Sequence, residues 1–155
     1  MRIGKAKTYG STLATVLLLT AVVAILAFAL AGTSITNLHL SYRSANSDSA
    51  RDLAESTIAV SLDKVLQDRE FGKSRLAAET VELPNLSENT GGVLSFQPET
   101  AEKLGLLYST NNIDSDAAKP GALGLVVPSH SLHLVGKGKY HSCQRTMEAI
   151  FHVPK

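Results

Sequence analysis

Read from its N-terminus, the chain changes its hydrophobic pattern three times. From Thr8 to Leu40 there is no Asp, Glu, Lys or Arg, and Leu13 to Ala31 reads LATVLLLTAVVAILAFALA, with Thr15 and Thr20 as its only polar members. A helix of that length covers about 28 Å at roughly 1.5 Å per residue, close to a bilayer core of about 30 Å. Residues 11–32 are therefore expected to form a transmembrane helix. Beyond it, Ile35, Leu38, Tyr42 and Ala45 recur at spacings of three and four. After a weaker stretch at Asn46–Ser49 comes a clearer stripe of Ala54, Ile58, Leu62, Val65 and Leu66, opposite Asp52, Glu55, Asp63 and Lys64. That is the pattern of an amphipathic helix covering a core. No proline precedes Pro84, so residues 33–70 are expected to continue the span as one helix, ended by Phe71-Gly72-Lys73.

The pattern is lost over residues 71–122, which read as irregular. One short helix is expected at 98–105, with Pro98 and Glu99 in its first turn and Gly105 at its end. Tyr108–Asn112 reads as an exposed turn and Asp114–Gly121 as a loop. Period-two alternation returns over 123–155. Leu123–Val127 is an apolar run bounded by Gly121 and Pro128, and Leu132 and Leu134 alternate with His133 and Val135. Gly136-Lys137-Gly138-Lys139 reads as a flexible turn. Met147, Ala149, Phe151 and Val153 then share one strand face, with Thr146, Glu148, Ile150 and His152 on the other. An antiparallel β-meander follows, of the kind a long amphipathic helix can cover, with Met147, Ala149 and Phe151 against Ile58, Leu62 and Val65. The fold class expected is α+β.

Composition narrows the function. The 155 residues suffice for one domain; 44% are hydrophobic and 19% charged, which excludes collagen-like and wholly disordered chains. A net charge of +1 gives no excess of Lys and Arg for phosphates, so no nucleic-acid partner is expected. Arg2, Lys5 and Lys7 precede the apolar block and no positive charge follows before Arg43. The positive-inside rule places the N-terminus in the cytoplasm and the bulk outside it, as a single-pass protein of the inner (cytoplasmic) membrane.

Candidate chemistry is sparse. A lone Cys143 excludes an internal disulfide framework. His130, His133, His141 and His152 crowd the C-terminal third, but the odd spacing of His130 and His133 would send them to opposite faces of a strand. Exposed sheet histidines are the expectation, with no metal and no cofactor. His141 beside Cys143 lacks an evident orienting acid, and Asp114 with Asp116 lacks the rest of a calcium loop. No phosphate cradle, serine elbow or HExxH occurs, and no catalytic residue or enzymatic activity is expected.

Three readings compete for the apolar block. Ala29-Leu30-Ala31 before Gly32 has the small-x-small form of a signal-peptidase site, giving a secreted binding domain cleaved after Ala31. A plain signal anchor would instead hold such a domain at the membrane. The third follows from the basic leader of residues 1–10, the Ser-Thr-Leu start at Ser11, the apolar block running on as a long helix, Asp52-Leu53-Ala54-Glu55-Ser56, and the late strand Gln144–Ile150. In these the chain resembles the type IV pilin superfamily, and more narrowly minor pilins with a PilX-type N-terminal region.

The resemblance implies a subunit for assembly, priming or tip display of a type IV pilus or type II secretion pseudopilus, reaching the cell surface in a pilus. It also implies a prepilin peptidase cutting after Gly10 to expose Ser11, and partners that are other pilin-like subunits and membrane lipid, met through the N-terminal helix. Many members carry Glu as the fifth residue of the processed chain, where this sequence has Thr15, which points to a minor rather than a major subunit. Tyr9 stands before Gly10 where Lys or Arg is commoner. Gly32 lies near a helix-breaking position of many pilins, suggesting a place where the helix loosens. A further class, an envelope sensor signalling through the helix, is the remaining alternative.

Overall fold

The computed structural model describes residues 7–75, 79–87 and 89–154. The chain divides into two compact units, Met1–Tyr42 and Arg43–Lys155. Helix α1 runs from Lys7 to Gln67 and contributes to both. It passes through Gly32 unbroken, and Thr36 Oγ1 donates to the Gly32 carbonyl at 3.0 Å. The expected loosening there is not found: a single glycine weakens a helix by only about 1 kcal/mol, and the residues around it keep the ladder.

The second unit is a five-stranded antiparallel sheet covered on one face by the C-terminal part of α1. Strands β1 (Thr80–Ser87) and β2 (Thr90–Ser95) form a hairpin. Helix α2 (Pro98–Lys103) follows, then β3 (Thr110–Asn112), and a separate small ladder of β4 (Lys119–Pro120) with β5 (Val126–Val127). The long hairpin of β6 (Ser131–Tyr140) and β7 (Cys143–His152) completes the unit. Strand β7 pairs along the whole of one edge of β6. On its other edge β6 takes β2 opposite 137–140 and β3 opposite 131–133.

The helix seat is made by small residues on both sides. Ala50, Ala54, Thr57, Ile58, Ser61 and Val65 are buried and recur at spacings of one, three and four, one face of a helix. Opposite them lie Gly92, Gly136 and Gly138. A Cβ at Gly136 would stand 2.8 Å from the Ala54 carbonyl oxygen; one at Gly138 would collide with that of Ala50, and one at Gly92 with the Thr57 hydroxyl. The helix backbone therefore lies almost directly on the sheet. Thr57 and Ser61 can be buried because each hydroxyl donates to a carbonyl one turn back, Leu53 and Thr57, both at 2.7 Å. Beyond the seat, Ile58, Val65, Leu94, Phe96, Ile113, Leu132 and Leu134 form the core, with Leu62, Met147, Ala149 and Phe151 packed against it.

Several expectations are corrected. The helix stops at Gln67 rather than near residue 70, and Leu66 is exposed, because small residues at 50, 57 and 61 turn the buried face away from it. The stretch read as irregular contains β1, β2, β3 and β4. Gly136–Lys139 is the middle of β6 and not a turn; the chain reverses at His141-Ser142, with His141 at φ 51°. Leu123 lies in a 3-10 turn at φ 52° and only Val126–Val127 of its run is strand. Helix α2 lies where expected but is shorter. Gly105 (φ 65°) ends it: the Gly105 N–H donates to Glu102 O at 2.9 Å and Leu106 N–H to Ala101 O at 2.8 Å, the paired bonds of a Schellman cap.

Candidate functional site

The feature that sets this chain apart is the first part of α1. Every residue from 12 to 45 is exposed, and the apolar ones point in all directions around the helix: Leu13, Leu17, Leu18, Ile25, Phe28 and Leu30 each leave more than half of their surface uncovered. A water-facing helix keeps its apolar side chains to one stripe. This helix reaches a mean hydropathy of 2.8 over eighteen residues with none of that window buried, so it is long and apolar enough to cross a membrane. Its polar side chains are reconciled to that role locally: Thr20 Oγ1 donates to Leu17 O and Thr33 Oγ1 to Leu30 O, both at 2.9 Å.

Of the residues expected to matter for processing and assembly, Gly10 and Ser11 fall within α1, and Thr15 lies on its exposed surface. Arg2 and Lys5 of the basic leader lie outside the described residues. The alanines Ala14, Ala21, Ala24 and Ala27 are all exposed, leaving low ground between the larger side chains.

The histidines do not gather. His133 is fully buried, contrary to the expectation of an exposed sheet histidine, and its Nε2 lies 2.7 Å from Glu148 Oε1. The two share a sheet face because His133 pairs with Ile150, two residues from Glu148. Among the described residues His133 Nδ1 has no partner, nor has Oγ1 of Thr110, its register neighbour across β3. His130 is in a turn at φ 53°, with Nδ1 2.9 Å from Ile113 O and Nε2 3.0 Å from Asp116 Oδ1. His141 stacks edge-on against Tyr140, and Cys143 approaches the Arg43 carbonyl at 4.0 Å. Among the described residues no three His, Cys, Asp or Glu side chains converge as a metal site requires.

The polar chemistry that is present ties segments together. Lys73 Nζ lies 2.6 Å from both Asp114 and Glu70, and Arg69 Nη1 is 3.2 Å from Asp114. The Lys73 hydrogen bond, with Arg69 adding to it, holds the Asp114 carboxyl below the usual carboxylate range. Lys73 is held above the usual lysine range by the same bond and by Glu70. Of the stretch read as an exposed turn, Ser109, Thr110, Asn111 and Asn112 are buried and Tyr108 half-buried, and it serves as a connector. Asn111 Nδ2 donates to the Arg69 and Phe71 carbonyls at 3.0 and 2.8 Å, while Asn112 Nδ2 reaches those of Ala117, Val127 and Pro128.

Sequence reasoning missed one more cluster. Lys137 and Lys139, dismissed with their glycines as a turn, stand two apart on β6 and face away from α1; strand spacing was the signal. No family model, no curated protein and no solved structure matches the chain.

Proposed function

We propose that the chain is a minor pilin-like subunit, working in the assembly, priming or tip display of a type IV pilus or type II secretion pseudopilus. The observation that supports this reading is α1. One helix supplies an apolar surface exposed on all sides and, farther along, the buried seat of a small sheet domain. A detachable signal has no need of the second role, and a domain-covering helix has no need of the first. Under this reading the apolar part first lies in the inner membrane, with the N-terminus in the cytoplasm and the sheet domain outside. It then packs against the corresponding helices of other pilin-like subunits. Ala14, Ala21, Ala24 and Ala27 favour close helix approach, since packing rather than the hydrophobic effect drives association in lipid.

The N-terminal residue of the mature protein tests the reading. Intact mass and N-terminal sequencing are expected to find Ser11 first, after cleavage by a prepilin peptidase, with the apolar helix retained. Gly32 as the first residue would overturn the proposal in favour of a secreted domain released by signal peptidase. Met1 retained would remove the processing step and leave the helix as a plain anchor.

A further inference from the structure

We propose that the sheet face turned away from α1 carries a binding site for a small oxyanion-bearing ligand, one with a carboxylate or phosphate group on a compact aliphatic body. A cavity of about 540 Å³ opens there between the β1–β2 hairpin, the end of α2 and the β6–β7 hairpin. That volume lies in the range of about 300–1,000 Å³ typical of small-molecule sites. Lys137 and Lys139 enter it from one strand, as alternate residues do.

Among the described residues their charges have no carboxylate partner. Lys137 Nζ donates to the Leu104 carbonyl at 2.8 Å and Lys139 Nζ to Asn89 Oδ1 at 3.2 Å, both neutral acceptors. An ammonium has three donors, so each keeps two for a further partner. The one carboxylate in the lining, Glu82, makes no ion pair with either among the described residues. Elsewhere in the same domain Arg51, Arg69 and Lys73 sit on carboxylates, whereas these two lysines share one cavity and are held by neutral groups. Among the described residues, two tethered ammonium groups here share a concave surface with one acid, and the balance of these three groups is positive. Gln144 adds an amide, and Val93 supplies an apolar floor. Among the described residues the lining holds no aromatic ring, which disfavours ligands recognised by stacking and favours an aliphatic acid or phosphate. The site is independent of the assembly reading and would stand if the chain never entered a filament.

The test uses the full chain, isotope-labelled in detergent micelles, titrated with sodium phosphate, with sodium succinate, and with sodium chloride at matched ionic strength. Saturable shifts of the Gly91, Gly92 and Val93 amides are expected with phosphate or succinate and not with chloride; saturation by only one of the two assigns the ligand class. Lys139→Gln should weaken that binding about tenfold, the scale of one charge-assisted hydrogen bond. Glu82→Gln, which removes no tether, should tighten it. The proposal is overturned if neither anion saturates, if chloride gives the same shifts, or if Glu82→Gln weakens binding or leaves it unchanged. Unchanged affinity in Lys139→Gln, with amides outside the cavity undisturbed, would overturn it equally.

Discussion

At the scale of single residues, two positions lend themselves to test. Asp114 is partly exposed and joined to Lys73 and Arg69, so solvent screening keeps its contribution to stability small. Its direction is nevertheless fixed. A carboxyl whose pKa falls on folding stabilises the native state above its unfolded value, near 3.9, and loses that contribution as pH drops through the folded one. Lys73, raised on folding, keeps its contribution below the ordinary lysine range and loses it only as pH rises beyond that. Asp114→Asn should therefore lower the thermal midpoint slightly at pH 7, and by less as the pH falls below the ordinary carboxylate range, measured in the same detergent. A loss that did not shrink with falling pH would mean that the side chain matters through packing. Thr15 is the second position. Under the proposed function it stands where a carboxylate would meet a neighbour's terminal amine, a contact strengthened in lipid by the low dielectric. Its hydroxyl cannot supply that contact, so the subunit should be a rare component that does not polymerise alone. Thr15→Glu should raise its share in purified filaments, and unchanged incorporation would show that another feature sets its place.

At the scale of elements, the meeting of α1 with the sheet carries the fold. Gly138 lies under Ala50 so closely that any side chain must push the helix away, and backbone on both sides leaves no flexible group to yield. Gly138→Val should cost at least about 1–3 kcal/mol, the range for overpacking, and lower the unfolding midpoint of the full chain. Full stability in that variant would mean that the helix sits higher on the sheet than described. The same contact explains what was legible in the sequence. Ile58, Leu62 and Val65 were readable as a core-facing stripe, and Met147, Ala149 and Phe151 as its opposite face, because large apolar side chains obey the helix and strand periods openly. Gly136-x-Gly138 was not, since glycine is the mark of a turn as well as of a close approach, and only the partner backbone distinguishes them. Phe96, fully buried against Phe71 at a ring separation of 5.6 Å, is a deeper anchor than Phe151, which the alternation had favoured. The β1–β2 hairpin left a trace in Val81 and Leu83 flanking Glu82, broken by Pro84 and by the glycines at 91 and 92. Asn111 and Asn112 were unreadable as interior residues because their burial depends on carbonyls distant in the chain.

At the scale of the whole molecule, the two units would, under the proposed function, answer to different solvents. In Arg43–Lys155 the apolar side chains have a sheet and a helix to share; over residues 12–42 they have no cover among the described residues, and under the proposed function lipid or other helices take its place. Helical structure in the two parts should accordingly have different supports. Within 43–67 it rests on burial of Ala50, Ala54, Thr57, Ile58, Ser61 and Val65, which water strengthens. Within 12–42, if it lies in the membrane as proposed, it rests on main-chain hydrogen bonds that lipid enforces, because an unpaired N–H has no water to meet there. A fragment spanning Arg43–Lys155 should then be soluble without detergent and unfold in one cooperative step, as a domain of about a hundred residues does. Its first residues, 43–45, are exposed and should exchange amide hydrogens quickly. The full chain should require detergent or lipid to stay in solution. A fragment that aggregates, or melts without a cooperative transition, would show that the sheet domain depends on residues before Arg43, and the division of labour along α1 would have to be redrawn.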